Sequence, residues 1–359
     1  MEHRVQHPPV PSGPTALAND KAIWLFALGY FLAYAPYSAL TKALSEGAIG
    51  KSRTGLEILP LTLFSVMVGM YAVLFATGWW KEARGKWTLG PLTLPAPRPR
   101  TLASGVATAA VIVSATLAYS FEGVSIVLMM LLMRGGVLVM APVVDLNSDR
   151  RVPWTSWSAL VLCLAALLVA TSHRADLRLS AVALIDIVVY LGATFVRLHY
   201  MSRLAKNESK EDARAYFVEE QMTAGPVALG VVILLALVLP QGGAGDQLRS
   251  GLVDVMASGQ RWVVVLVGLF SLGTGVFGTL VYLDARENSF TVPVNRAASM
   301  LGGVAATFAL QALTRTTSVD KGELAGAGLV ILAIVLLAWP MRYKHRTLVG
   351  WAPKLPPEK

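Results

Sequence analysis

One cysteine, Cys163, and five scattered histidines, His3, His7, His173, His199 and His345, deny this chain the raw material of several functions. A lone thiol excludes an intrachain disulfide and a thiolate-bound metal. The histidines have no metal-ligand spacing, and there is no nucleophile elbow and no phosphate-binding loop with a lysine. Hydrolysis, metal chemistry and ATP-driven pumping are therefore not expected, and the chain reads as a non-enzyme without cofactor or metal. Charge is scarce as well. Only 15% of residues are charged against 55% hydrophobic, and the mean hydropathy of +0.57 lies above that of soluble domains. A cleavable leader is also missing. Residues 1–21 contain HPPVPSGPT but no basic region followed by an apolar core, and read as a flexible cytoplasmic tail.

Apolar sequence is what the chain has in quantity. Windows near the roughly 20 residues that a spanning helix needs fall at 22–44, 58–80, 101–119, 123–146, 154–172, 180–202, 215–240, 262–283, 289–313 and 322–343. The expected fold is an all-α integral membrane protein with ten transmembrane helices, whose first partner is the lipid bilayer. The net charge of +9 does not point to nucleic acid, because Lys and Arg are spread among short loops without interleaved aromatics. They report topology instead. Lys81, Arg84, Lys86, Arg98, Arg203, Lys206, Lys210, Arg214, Arg342 and Lys344 fall on one side, while the opposite side holds a smaller set that includes Lys51, Arg53, Arg249 and Arg261. The positive-inside rule then puts both termini in the cytoplasm. Residue usage rich in Ala, Leu, Val, Gly and Arg, with little Asn, suggests a GC-rich bacterial genome and an inner membrane. The links at 81–100 and 241–261 are expected to be surface connections.

Four cations remain within or at the ends of spans: Lys42, Arg134, Arg197 and Arg296. Lys42, near the outer end of span 1, is expected to snorkel. Arg134 stands at the centre of VLMMLLMRGGVLVMAP, where an arginine costs about 2.5–3.5 kcal/mol and has no short route to either surface. Gly135 and Gly136 allow close approach to the backbone, and Met129, Met130, Met133 and Met140 suit an adaptable wall. Arg296 repeats the design beside Asn295, with Ser299 one turn on. Two such guanidiniums form a fork for an anion, since Arg presents paired planar donors. The alternative is that each is locked to a carboxylate, for which Asp145, Asp186, Glu220 and Asp284 are available.

The two halves of the chain correspond. A shift of 156 residues lays Tyr30 on Asp186, Tyr34 on Tyr190, Ser38 on Thr194 and Thr41 on Arg197, each set forming one polar stripe of a helix. TLAY at 116–119 precedes Arg134 as TLVY at 279–282 precedes Arg296. Five spans per half would invert the second unit relative to the first. The expected organisation is two inverted five-helix repeats, 22–172 and 180–343, with tails at 1–21 and 344–359. On these stripes Tyr34 and Tyr190 are candidates to orient a ligand, and Asp186 and Arg197 to couple or gate. GTGVFG at 273–278 matches a dinucleotide-turn pattern but follows no strand; Gly275 and Gly278 are expected to serve close packing or a hinge.

Residues 115–171, ATLAYSFEGVSIVLMMLLMRGGVLVMAPVVDLNSDRRVPWTSWSALVLCLAALLVAT, resemble the end of the repeat unit in the drug/metabolite transporter superfamily, the EamA-like group. The likeness is a small-residue helix ending in tyrosine, a tight turn, a long helix 4, a short polar turn and a Trp-containing helix 5. The chain departs from that pattern with Gly135 and Gly136 where many members have a mid-helix proline, and with Ser148, Asp149 and Arg150 in place of Gly-Glu-Arg. The resemblance implies ten spans in two inverted repeats around a central cavity. Arg134 and Arg296 look like the basic residues with which the nucleotide-sugar and phosphorylated-sugar carrier branches hold substrate phosphate.

The expected function is secondary transport of a small organic metabolite, anionic and with phosphorylated compounds among the candidates, by alternating access. Arg134 and Arg296 would neutralise it, Tyr34, Tyr190, Asn295 and Ser299 would orient it, and Asp186 and Arg197 would couple or gate. Two alternatives stay open. One is an exporter of amphipathic metabolites or drugs with internally paired arginines; the other is a non-transporting scaffold, sensor or lipid-handling protein. A homodimer is compatible with either.

Overall fold

The computed structural model describes residues 14–89, 92–117, 126–148, 150, 152–171, 180–206, 209–314 and 321–350. Its long helices are α1 (Pro14–Ser45), α2 (Gly55–Thr77), α3 (Pro99–Leu117), α4 (Ile126–Asn147), α5 (Trp154–Thr171), α6 (Ala181–Leu204), α7 (Lys210–Val238), α9 (Arg261–Tyr282), α10 (Asn288–Thr314) and α11 (Lys321–Gly350). Each falls on one of the ten apolar windows. Six of them, α1, α2, α3, α6, α7 and α9, are long and apolar enough over the described residues to cross a membrane. Local chemistry sets several of the ends. Thr54 and Glu57 form a capping box on α2, which stops at left-handed Gly78, and Ser180 and Ser209 cap α6 and α7.

The links and ends correct four expectations. The connection after α2 holds a 3-10 turn, Trp79–Glu82, and an antiparallel hairpin of β1 (Gly85–Leu89) and β2 (Leu92–Ala96). The Gly- and Pro-rich link after α7 folds into α8 (Gly243–Ser250) and a π turn, Gly251–Val255. Helix α1 starts at Pro14, inside the stretch read as a flexible tail, because proline fits the first helical turn, whose N–H groups lack partners. Helix α11 runs past 343 to Gly350 with no proline or glycine until that residue to stop it after Pro340. Tyr119 of the TLAY match and Asp149 of the polar turn lie outside the described residues.

The exterior is apolar. On α6 the face carrying Val182, Ile185 and Val188 is exposed, while Asp186, Tyr190 and Thr194 are buried. Leu25, Leu28 and Leu32 of α1 are likewise exposed. Apolar side chains outside, with polar groups such as these turned inward, are what hydrocarbon solvent selects, since unpartnered polar groups cost several kcal/mol there. The chain is a helical membrane protein.

The long helices pack into one bundle. Helix α1 lies on α9 and α10, and α6 lies on α3 and α4; α2 lies on α9, and α7 on α3. The pairs α2–α7, α4–α10 and α5–α11 complete the bundle. Small residues permit the closest crossings. A Cβ on Gly105 of α3 would stand 2.4 Å from Thr223 Cβ of α7, and one on Gly136 of α4 would stand 2.7 Å from Leu191 of α6.

Candidate functional site

The polar stripe of α6 runs into the middle of the bundle, and its charged member is fully engaged. Arg197 donates from Nε to Glu220 Oε1 at 2.8 Å and from a terminal nitrogen to Glu220 Oε2 at 3.1 Å. It also donates to Thr279 Oγ1 at 3.0 Å. Glu220, completely buried on α7, accepts further bonds from Ser104 at 3.2 Å and Thr108 at 2.9 Å on α3. This forked ion pair joins α3, α6, α7 and α9. Arg197 is thus a structural clamp as well as a cavity-facing cation, and its partner is Glu220 instead of Asp186.

The other two arginines stand beside tyrosines. Arg134 of α4 donates to the Tyr34 hydroxyl of α1 at 3.1 Å, and Arg296 of α10 lines one cavity with Tyr190 of α6. Tyr34 and Tyr190 are matched by the 156-residue shift, and Arg134 and Arg296 stand on corresponding helices. Tyr30 stacks on Tyr34 with centroids 5.7 Å apart and lies within electrostatic reach of both Arg134 and Arg296. The Tyr30 ring is held against Gly278, where a Cβ would meet it at 2.9 Å.

Between these groups is a cavity of about 30 Å3 lined by Val111, Val137, Tyr190, Thr194, Arg197, Leu198, Tyr282 and Arg296. That is room for a water molecule or two, so a metabolite requires the walls to part. The guanidiniums at the cavity are Arg197 and Arg296. Arg134 is not among these lining residues and donates to Tyr34 on the neighbouring helix.

Three buried polar atoms at this level have no hydrogen-bond partner: Arg296 Nε, Asn295 Nδ2 and Asp186 Oδ2. Asp186 accepts a bond from Ser114. The other candidate carboxylates are occupied elsewhere: Glu220 by Arg197, Asp284 by Arg286, and Asp145 by Asn288 and Ser289. Arg296 therefore has no carboxylate partner among the described residues. Ser299 is buried and spends its hydroxyl on Arg296 O at 2.7 Å, which ties it to its own helix.

Several lesser expectations resolve on packing. Gly278 is a close-packing residue and so is Gly136, whereas Gly135 has only ordinary contacts at 3.6 Å with Leu164 and Leu167. Gly275 has open space where a Cβ would stand, so close packing does not explain it. Met129 and Met133 are buried in the apolar core and do not form the cavity wall. Lys42 is half-buried and 4.0 Å from Glu46. Tyr282 was not singled out from the sequence, yet it faces Arg197 at 5.6 Å and donates to Asn295 Oδ1 at 3.0 Å. Its signal was available in TLVY, the segment already matched to TLAY.

One end of the bundle is closed by a second polar cluster. Buried Asp145 at the end of α4 accepts from Asn288 N, Asn288 Nδ2, Ser289 N and Ser289 Oγ at 2.6–2.8 Å, and so caps α10. Lys206, just beyond α6, donates to Arg286 O at 3.0 Å and Thr291 Oγ1 at 3.1 Å. Arg150 donates to Ala285 O at 3.0 Å and to Lys206 O.

Burial pushes the Lys206 ammonium down to about 7, against the pull of Asp145, Asp284 and Glu287 and with the push of Arg150. The folded chain then releases this proton near pH 7, while the unfolded chain keeps it to the ordinary lysine range. Stability gains from this group as pH rises through that window, because the unfolded state binds more protons there. Melting temperatures measured from about pH 6 to about pH 10 should therefore rise less in Lys206→Met than in the parent. Parallel curves would remove this account.

No family model matches this chain, and no curated protein matches it. Among solved structures, one crystal structure of a protein is similar with a TM-score of 0.60 and 12% identity, over 90% of this chain and 98% of that chain. At that identity the likeness shows the fold alone. It extends through nearly the whole of both chains.

Proposed function

We propose that this protein is a secondary transporter of the drug/metabolite type, moving a small organic anion through the bundle by alternating access. The observation that carries this reading is Arg296: a guanidinium in a membrane interior, with one nitrogen unpartnered and no carboxylate partner among the described residues, opening on a cavity. A buried cation without a counterion is costly. A carboxylate or phosphate entering beside it offsets that cost with paired charge-assisted bonds. Tyr190 and Tyr282 present hydroxyls and ring faces to the same space, and Asn295 brings an amide with free donor capacity. Phosphorylated metabolites suit the paired planar donors best.

Ten spans in two inverted five-helix units are the arrangement we infer. Support comes from the corresponding helix pairs, α1–α9 with α6–α3 and α2–α9 with α7–α3. The bond from Arg134 to Tyr34 and the shared cavity lining of Arg296 and Tyr190 support it again. Both termini would lie in the cytoplasm, by charge asymmetry, of a bacterial inner membrane. The cluster around Asp145 and Lys206 would then close the inner end, and Asp186 with its unpartnered oxygen, one turn from Tyr190 on α6, would take part in coupling.

The test is thermal stability of detergent-purified protein against a panel of organic phosphates, dicarboxylates, neutral amphiphiles and cations. A ligand at about 100 times its Kd stabilises by about 2.7 kcal/mol. The expected result is a shift with anions that disappears in Arg296→Gln, followed by uptake of the same anion into proteoliposomes. Stabilisation by neutral or cationic compounds alone would favour an exporter of amphipathic solutes. Binding without flux would favour a sensor.

A further inference from the structure

The hairpin after α2 is amphipathic and uncovered. Its register pairs Trp87 with Leu94 and places both on one face, while Lys86, Thr88 and Thr93 alternate to the other. Trp87 is 61% exposed and Leu94 38%, and Lys86, Thr88 and Thr93 are exposed too. Around Trp87 and Leu94 the described residues thus cover neither face. A lone two-stranded hairpin is marginal in water, and an indole exposed to this degree calls for a cover.

Its surroundings indicate which cover. The hairpin lies between the end of one apolar helix, α2, and the start of another, α3. An aromatic track leads to it along α2: Tyr71 stacks on Phe75 at 6.3 Å, and Phe75, 59% exposed, meets Trp80 at 5.6 Å. Lys81 holds its ammonium 5.8 Å from the Trp80 ring. Aromatic rings followed by lysines are the order of groups met on passing from hydrocarbon to headgroups. Several basic groups nearby have carboxylate partners within the chain: Arg84 pairs with Asp212, Arg98 with Glu219 and Arg214 with Glu82. Exposed Lys81 and Lys86 have no ion pair among the described residues. The base of the hairpin is fixed, since buried Glu219 accepts from Arg84 N at 2.8 Å and from Arg98 Nε at 3.0 Å. The tip is therefore held at a set height relative to the bundle.

We propose that the Trp87–Leu94 face of this hairpin lies in the headgroup region of the bilayer, with Lys81 and Lys86 on anionic lipid phosphates. The sign of the lipid charge rests on the inferred topology, in which this end faces the negatively charged cytoplasmic leaflet. The geometry of the face does not depend on any transported solute.

The test uses the full chain in nanodiscs of phosphatidylcholine with or without phosphatidylglycerol. Trp87→Cys and, as a second report on the same face, Leu94→Cys carry an environment-sensitive fluorophore; Thr88→Cys reports the opposite face. Cys163 is fully buried, and its background labelling is read in the parent chain. Expected are a blue-shifted emission at 87 and 94, quenching there by lipids brominated near the headgroup, and a larger effect in the anionic discs that is lost in Lys81→Gln/Lys86→Gln. Water-like emission at both 87 and 94, equal quenching at 88, or indifference to lipid charge would overturn the proposal. Protection that ignores bromolipid but grows with protein-to-lipid ratio would assign the face to a second copy and overturn it as well. None of these readouts involves solute binding, so failure here is separate from failure of the transport reading.

Discussion

Glu220→Ala is expected to cost about 3–5 kcal/mol of stability, the usual penalty for stranding one member of a buried ion pair. The carboxylate is completely buried and takes two bonds from Arg197 and two from hydroxyls of α3. Its removal leaves a guanidinium in a low-dielectric interior with only Thr279 as a side-chain hydrogen-bond partner among the described residues, while Ser104 and Thr108 keep the Tyr216 hydroxyl and the Ser104 carbonyl as partners. Replacing both charges, as in Arg197→Met/Glu220→Leu, should recover much of that loss, since apolar groups of similar volume need no partner. Denaturant unfolding in detergent compares the variants. A double variant as unstable as the single one would mean that the polar network as a whole, and not the uncompensated charge, sets the penalty.

The second large effect is expected at Asp145→Ala. That carboxylate caps α10, and its loss strands two buried backbone amides and the Ser289 hydroxyl, while Asn288 Nδ2 keeps Ser202 as a partner. At about 1–3 kcal/mol for each buried group left unsatisfied, the combined cost is at least about 3 kcal/mol, a large share of a membrane bundle's margin. Asp145→Asn keeps one acceptor oxygen and should fall between the parent and Ala. Amide exchange at Asn288 and Ser289 should accelerate in the same order, because the start of α10 loosens from the end of α4. Unchanged protection at those amides would show that α10 is held by packing alone.

Composition and periodicity made the long helices legible, six of them apolar enough over the described residues to cross a membrane, because hydrocarbon requires of a span about 20 apolar residues with backbone bonds satisfied internally. The matched stripes of α1 and α6 were legible for the same kind of reason, as residues four and three apart share a face. Thus Tyr34 and Tyr190 could be paired before the bond from Arg134 to Tyr34, and the place of Tyr190 beside Arg296, were seen. The hairpin escaped because its strands are short and its link reads as Gly- and Pro-rich loop. The start of α1 escaped because a proline-rich segment masks where helix begins.

The sequence by itself determined that this is a helical membrane protein with rare cations in its interior, since the cost of a charge in hydrocarbon depends on the residue and its depth. Only the tertiary structure decided which cation is neutralised. Glu220 could have met any of three arginines; helix packing gave it to Arg197, sent Arg134 to Tyr34, and left Arg296 facing the cavity with an unpartnered nitrogen. Pairing depends on distances of a few ångströms between helices far apart in the chain, and no local pattern encodes those distances.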